Sequence, residues 1–292
     1  MIIWLASYPK SGNTLIRAIL TSLIFSEDGI VDFKNLHRIS NFSNGFFFKK
    51  FTSSYKNILE TSKYWIKAQE ELNKNKKLKF FKTHNALCTI NGNAFTNEIN
   101  TAGCIYVVRD PRDVIVSASK YYGLSHEETK NNMFNENMDL VNDVKGDPFN
   151  TFLGSWSNHY NSWTKNSKNI LLIKYENLIQ NKEAEIRRIL NFLNKFVKIS
   201  FDEKKIKKCI ESSSFQNMKI MEQNGLFQEN SKDFKGNKIP FFATGKKGNW
   251  QGVLEEEIVS QVEKKFQKEM LELNYIDQHA DKRNSIKIEY LK

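Results

Sequence analysis

Apolar and polar positions along the chain fall into a repeating pattern of short strand-length runs and longer segments of helical spacing. Ile2-Ile3-Trp4-Leu5-Ala6 is an apolar run that enters a turn of Pro, Ser, Gly and Asn, and Leu15-Ile16-Arg17-Ala18-Ile19-Leu20 leaves that turn with helical period. Leu78 to Ala86 alternates apolar and basic residues, as a strand does. Gly103 to Val108 and Asn169 to Leu178 are near-continuous apolar runs of the kind buried in parallel sheets. Between them, Ser54 to Lys74, Phe149 to Asn166, Lys182 to Phe196, Phe201 to Glu211 and Gly252 to Leu273 read as helices, the second with Phe152, Trp156, Tyr160 and Trp163 on one face. Strands alternating with helices predict an α/β chain with a parallel sheet. Ser26 to Gly45 reads as irregular, Tyr121 to Pro148 as one long connection, Ser212 to Lys219 as a cap and short turn, and the tail after Asn274 as loosely held.

The turn after the first strand, Tyr8-Pro9-Lys10-Ser11-Gly12-Asn13-Thr14, has the makings of an anion loop. Its glycine lets backbone N–H groups point inward, the following helix adds its positive dipole end, and Lys10 adds a full charge. It is not a Walker A loop, because the Lys precedes the Gly. Period two places Lys82 and His84 on one face at a strand end, where ligands of parallel α/β sheets collect. The next strand ends in Arg109, with Asp110 as a helix cap, Pro111 in the first turn and Ser117 about two turns along. Arg109 and Ser117 read either as a second phosphate site or as a carboxylate-paired Arg with a solvent-facing hydroxyl. Tyr175 closes another strand tip. Phe46 to Phe51 reads either as a lid over an apolar acceptor or as core under a loop. Phe227 to Trp250, with Phe241, Gly245, Lys246, Lys247 and Gly248, reads either as a flap over a nucleotide or as an exposed basic loop.

Composition narrows these alternatives only partly. At 292 residues with 40% hydrophobic positions the chain can bury a substantial core, and it lacks an apolar run long enough to span a bilayer. Its start reads as a first strand rather than a signal peptide, so a cytoplasmic location is expected. Cys88, Cys104 and Cys209 are scattered, so neither a zinc site nor a disulfide framework is expected, and no metal. A net charge of +11 favours anionic ligands by steering, or simply reflects solvated lysine faces.

The ordered set of motifs resembles the cytosolic-type sulfotransferase superfamily, which uses 3′-phosphoadenosine 5′-phosphosulfate (PAPS). Tyr8 to Thr14 is similar to that family's 5′-phosphosulfate loop, Lys82-Thr83-His84 to its catalytic Lys-Thr-His, and Arg109 through Ser117 to its 3′-phosphate motif. The resemblance continues through Tyr175-Glu176, Ser213 to Lys219 and Gly245 to Trp250. It implies one sulfotransferase domain over 1–292, a P-loop-like three-layer α/β fold with a central parallel sheet flanked by helices, and sulfuryl transfer to a hydroxyl or amine of a small-molecule, lipid or carbohydrate acceptor. The product would be adenosine 3′,5′-bisphosphate (PAP). Neither a nucleic-acid partner nor a membrane span is implied. By the same resemblance His84 is the general base, Lys82 steadies the transferred group, and Lys10 follows charge onto the bridging oxygen. Ser11, Gly12, Asn13 and Thr14 cradle the 5′-phosphate, Leu15 is among the cofactor-binding residues, and Arg109 and Ser117 take the 3′-phosphate. Tyr175, Ser213, Phe215, Phe241, Gly245, Lys246, Lys247 and Gly248 lie around the nucleotide. Two positions depart from the family pattern: Leu15 stands where a Trp lies against adenine, and Ala243-Thr244-Gly245 where Arg-Lys-Gly is usual. A kinase using ATP and a non-enzymatic polyanion binder are the competing classes.

Overall fold

The first apolar run forms strand β1 (Ile2–Ser7), buried along its whole length. The computed structural model describes residues 1–277 apart from 43, 145–146, 200–201, 228, 230, 233–237, 243–244 and 246. After β1 come helix α1 (Asn13–Phe25), β2 (Lys79–Thr83), β3 (Thr101–Val108), α2 (Pro111–Tyr122) and α3 (His126–Phe134). A hairpin, β4 (Asp139–Val144) and β5 (Asp147–Phe152), leads to α4 (Trp156–Asn166) and β6 (Ile170–Lys174). Then follow α5 (Tyr175–Gln180), α6 (Lys182–Leu193), α7 (Glu203–Ser212), α8 (Phe215–Gln223), α9 (Glu256–Lys265) and α10 (Gln267–Glu272).

The central sheet has the order β2-β1-β3-β6, with every neighbouring pair parallel, and short antiparallel hairpins lie outside it. Because the chain crosses from β1 to β2 on one side and returns past β1 to β3 on the other, a crevice opens beyond the carboxyl ends of β1 and β3. Period two then sorts the strand residues onto two faces. Ile2, Trp4, Ala6, Cys104 and Tyr106 pack with Trp156, Tyr160 and Trp163 of α4 and with Ile258 and Val262 of α9. Ile3, Leu5, Ile105 and Val107 pack with Ile16, Ile19 and Leu20 of α1 and with Ile186, Ile189 and Leu193 of α6. Helices thus cover both faces of a parallel sheet, as the strand-helix alternation predicts.

Several boundaries move. The expected long connection from Tyr121 to Pro148 contains α3, started by a capping box in which Ser125 and Glu128 satisfy each other's amides, and most of the β4-β5 hairpin. Phe152 belongs to β5 rather than to the stripe of α4, which begins only after Ser155 caps it. Strand β6 stops at Lys174 and Tyr175 opens a helix. The expected turn at Ser212 to Lys219 runs on as α8 behind the Ser214 cap. The expected C-terminal helix begins at Glu256 and breaks at Phe266. Tyr275 is held by its carbonyl to Arg112 and by its hydroxyl to Glu176, and the expected loose tail lies, from 278, outside the described residues.

The aromatic patch resolves as core. Phe42 and Phe48 are buried; Phe42, Phe81 and Phe95 surround Trp4, edge-on or tilted at 5.2 to 6.3 Å, and Phe48 meets Phe42 edge-on at 5.8 Å, whereas Phe46 points outward. Ser40 and Phe42 add backbone hydrogen bonds to Lys82, which covers the open edge of β2.

Candidate active site

A cavity of about 1070 Å³ opens in the crevice beyond β1 and β3. The loop after β1 forms its floor. Lys10 takes φ 64 and Gly12 φ 103, so the chain turns sharply through the left-handed region before α1 begins. Gly12 occupies the cap position without a side-chain bond, and no acidic residue lies in the first turn of α1, so the helix-start amides meet the cavity with their dipole unanswered. A Cβ at Gly12 would sit 2.5 Å from Tyr175 Cδ2. Gly12→Ala is therefore expected to cost about 1–3 kcal/mol from strained φ and the clash. An unchanged unfolding midpoint would show that the Tyr175 ring yields freely.

Lys10 Nζ is buried with no hydrogen-bond acceptor among the described residues and lies 3.7 Å from the centroids of both the Tyr121 and Phe241 rings. Burial, reinforced by repulsion from Lys82 and Arg109, pushes its pKa down to about 7. Arg109, at the tip of β3, donates to the Lys10 carbonyl at 3.2 Å, lies 4.5 Å over the Tyr175 ring, and leaves its Nε unpaired. A buried ammonium and a buried guanidinium edge thus bring positive charge to the cavity, while the expected carboxylate partner of Arg109 is present as Asp113, with Oδ2 3.9 Å from Nη2. Asn13 turns inward, its amide donating to the Leu5 carbonyl at 2.9 Å and Ser7 Oγ at 3.2 Å, so it braces the loop against β1.

At the end of β2, His84 Nδ1 lies 2.7 Å from the Ser7 carbonyl oxygen. A carbonyl only accepts, so Nδ1 carries the proton and Nε2 keeps its lone pair. Burial, then the charge of Lys82, holds the imidazole pKa well below 6.5. His84 and Lys82 both line the cavity, as period two requires.

Ser117, Thr14, Leu15, Ser213, Phe215, Phe241 and Gly245 also line it. Phe215 lies so close to Gly245 that a Cβ there would meet the ring at 2.0 Å. Three expected site residues stand elsewhere. Ser11 is wholly buried behind the loop, with its hydroxyl unpartnered. Lys247 is exposed and does not line the cavity, and Gly248 instead donates its N–H to Asp113 Oδ2 at 2.8 Å. Asp113 also receives the Trp250 amide at 3.1 Å, so it bolts the late turn to α2 in addition to favouring that helix's positive end. Ala243, Thr244 and Lys246 fall outside the described residues.

Two further cavity residues, Arg17 and Glu229, are not among the expected site residues. Arg17 is buried on α1 and binds Glu229 at 2.6 Å and the Leu36 carbonyl at 3.1 Å. The other Glu229 oxygen lies 3.9 Å from Lys82 Nζ. Burial alone would raise this carboxyl, but Lys82 and Arg17 more than offset it and hold it at about 2. The one signal available for Arg17 was a charge inside the apolar run of α1; Glu229 had none. From the segment Phe42 to Phe51 it is Asn44, not a phenylalanine, that reaches the cavity, and from the long connection it is Tyr121, Tyr122, Leu140 and Val141.

The parallel sheet thus brings Lys10, Arg109 and a histidine whose Nδ1 sits on a carbonyl into one cavity at its switch point. The model of the sulfotransferase domain family matches residues 2–274, and the chain belongs to that family. Among curated proteins, Sulfotransferase 2A1 of Macaca fascicularis is 29% identical over 59% of this chain and 58% of its own length. Amine sulfotransferase of Oryctolagus cuniculus is 28% identical over 64% of this chain and 61% of its own. The chain thus spans about three-fifths of these relatives. Sulfotransferase 1B1 of Mus musculus aligns more widely, over 91% of this chain and 81% of its own, at 24% identity. Among solved structures, a mouse sulfotransferase complexed with PAP superimposes with a TM-score of 0.58 at 21% identity, over 92% of this chain and 84% of its own. Retinol dehydratase in complex with retinol and PAP gives 0.58 at 21%, over 99% and 83%. These likenesses extend the family's fold across the described chain. Among the described residues no helix is long and apolar enough to cross a membrane.

Proposed function

We propose that the chain, as one P-loop-like domain over 1–292 acting in the cytoplasm, transfers the sulfuryl group of PAPS to a hydroxyl or amine of a small-molecule acceptor by in-line displacement. The observation that carries this reading is the buried Lys10 ammonium, unpartnered among the described residues, at an uncapped helix start, with Arg109 donating to the Lys10 carbonyl and His84 in the same cavity. The 5′ end of the donor fits the loop from Lys10 to Thr14, where amides, dipole and ammonium answer its charge. The 3′-phosphate fits Arg109, with its free Nε, and Ser117. Tyr175, Phe215 and Gly245 shape the nucleotide side. His84 Nε2 takes the acceptor's proton as the new S–O or S–N bond forms and the bridging S–O bond of the donor breaks. Lys82 steadies the equatorial oxygens and Lys10 the leaving phosphate oxygen, a division of labour that rests on positioning and charge. Lys247 takes no part in this arrangement. Phenols, sterols, lipid and carbohydrate alcohols all meet the chemical requirement for the acceptor.

Calorimetry with the full chain tests the donor class: PAP is expected to bind and ATP to bind far more weakly, whereas preference for ATP would overturn the proposal. Incubation with labelled PAPS and an acceptor panel completes the test, with transfer of label to an acceptor expected.

A further inference from the structure

The backbone on which His84 stands is held from behind by a hydrogen-bond relay that the transfer reaction does not touch. Strand β2 ends at Thr83, so the carbonyls of the half-buried His84 and the buried Asn85 have no ladder partner and need other donors. One face of α4 supplies both, one turn apart. His159 Nε2 lies 3.0 Å from the His84 carbonyl oxygen, and Trp163 Nε1 donates to the Asn85 carbonyl at 2.9 Å. Ser162 of the same helix accepts the Leu87 amide at 3.0 Å, and Phe152 of β5 donates its N–H to the Asn85 side chain at 3.0 Å.

Holding the carbonyl needs only a donor, yet this donor is a wholly buried histidine with a second partner. Tyr106 Oη, on β3, lies 2.8 Å from His159 Nδ1. The His84 carbonyl only accepts, so His159 carries its proton on Nε2, and the Tyr106 hydroxyl must donate to Nδ1. The Tyr8 ring meets the imidazole edge-on at 5.5 Å. Burial pushes the His159 pKa down to about 4, so the relay delivers a donor without a charge. A lysine or arginine at this place would donate equally well but would add a second cation beside the Lys82 that already disfavours protonation of His84.

We propose that His159, oriented by Tyr106, is the positioning residue for the base: it fixes the His84 backbone so that Nδ1–H meets the Ser7 carbonyl and Nε2 faces the cavity with its lone pair. This rests on the reading of His84 as the base. A residue that merely fills the core would change stability and leave the His84 tautomer alone.

The test uses the full chain labelled with ¹⁵N-histidine and saturated with PAP. In the parent chain His84 is expected to show the Nδ1–H tautomer alone. His159→Gln, whose amide reaches the position of Nε2, is expected to keep that signature and turnover of a simple phenol within about fivefold; His159→Asn, which keeps the Tyr106 partner but cannot reach the His84 carbonyl, is expected to give mixed tautomers and about 10²-fold lower kcat with PAP affinity unchanged. Parent-like His84 signals in His159→Asn would overturn the proposal. Should that variant fail to fold, Tyr106→Phe keeps the ring volume and is expected to mix the tautomers of both histidines; unaltered signals there would overturn it equally. His84→Ala separates the two readings: full turnover in that variant removes the base assignment, while the tautomer result still decides the relay.

Discussion

His84→Ala is expected to lower kcat by ~10²–10⁴ while leaving PAP affinity near that of the parent chain, because the imidazole meets the acceptor's proton and not the nucleotide. The geometry behind this is the 2.7 Å contact from Nδ1 to the Ser7 carbonyl, which leaves Nε2 as the available base. The pH dependence follows with a definite sign. Burial and Lys82 lower the imidazole pKa well below 6.5, so His84 is already the free base at neutral pH. Activity should then show no acid limb near pH 6.5 and should fall only on further acidification, as the imidazole is forced to take a proton. A kcat/KM profile with its acid limb at 6.5 or above, or an active alanine variant, would remove His84 from this role.

Lys10→Met is expected to act on both binding and chemistry. Loss of a charge-assisted contact to the donor's 5′ end should weaken PAP by about 10- to 100-fold, and loss of charge stabilisation at the leaving oxygen should lower kcat by about 10²–10³. The depressed pKa adds a sharper signature. In the ligand-free chain the Lys10 ammonium begins to lose its proton near pH 7, because burial, reinforced by Lys82 and Arg109, outweighs the attraction of Glu222 and Glu229. A bound phosphate favours the charged form, so binding at pH 8 should take up a proton, and affinity should decline as pH rises above about 7. Calorimetry in buffers of different ionisation enthalpy reads this uptake directly. A buffer-independent heat at pH 8, or a Lys10→Met chain that keeps the effect, would assign it to another group.

What the sequence could reveal followed from how local each signal is. The runs at Ile2 to Ala6 and Gly103 to Val108 are strands buried on both faces, and such strands announce themselves by continuous apolarity. Lys82 and His84 share the cavity because period two is a local property. The β4-β5 hairpin escaped notice because Asp139 to Phe152 is mostly polar and alternates poorly, and α3 because its inward face includes Thr129 and Lys130 rather than an apolar stripe. Lys130 is buried with its ammonium on Glu127, one turn back, and on Gln261, a partner that no periodicity predicts. The same holds for the Arg17-Glu229 pair, whose members come from opposite ends of the chain. The phenylalanines near Phe48 could have been either lid or core, and only the position of Trp4 beneath them decides for core.

The central place of β1 has a consequence for how this chain is made. Its hydrogen-bonding partners are residues 79–83 on one side and 101–107 on the other, so neither edge can be satisfied until those later segments have left the ribosome. During that interval Ile2-Ile3-Trp4-Leu5-Ala6 is an uncharged, β-prone strand with two open edges. The segment that ends wholly buried thus has, in the nascent chain, the apolar and uncharged character that a holdase chaperone binds. A peptide spanning residues 1–8 should compete for such a chaperone far better than one spanning the basic stretch at 74–79.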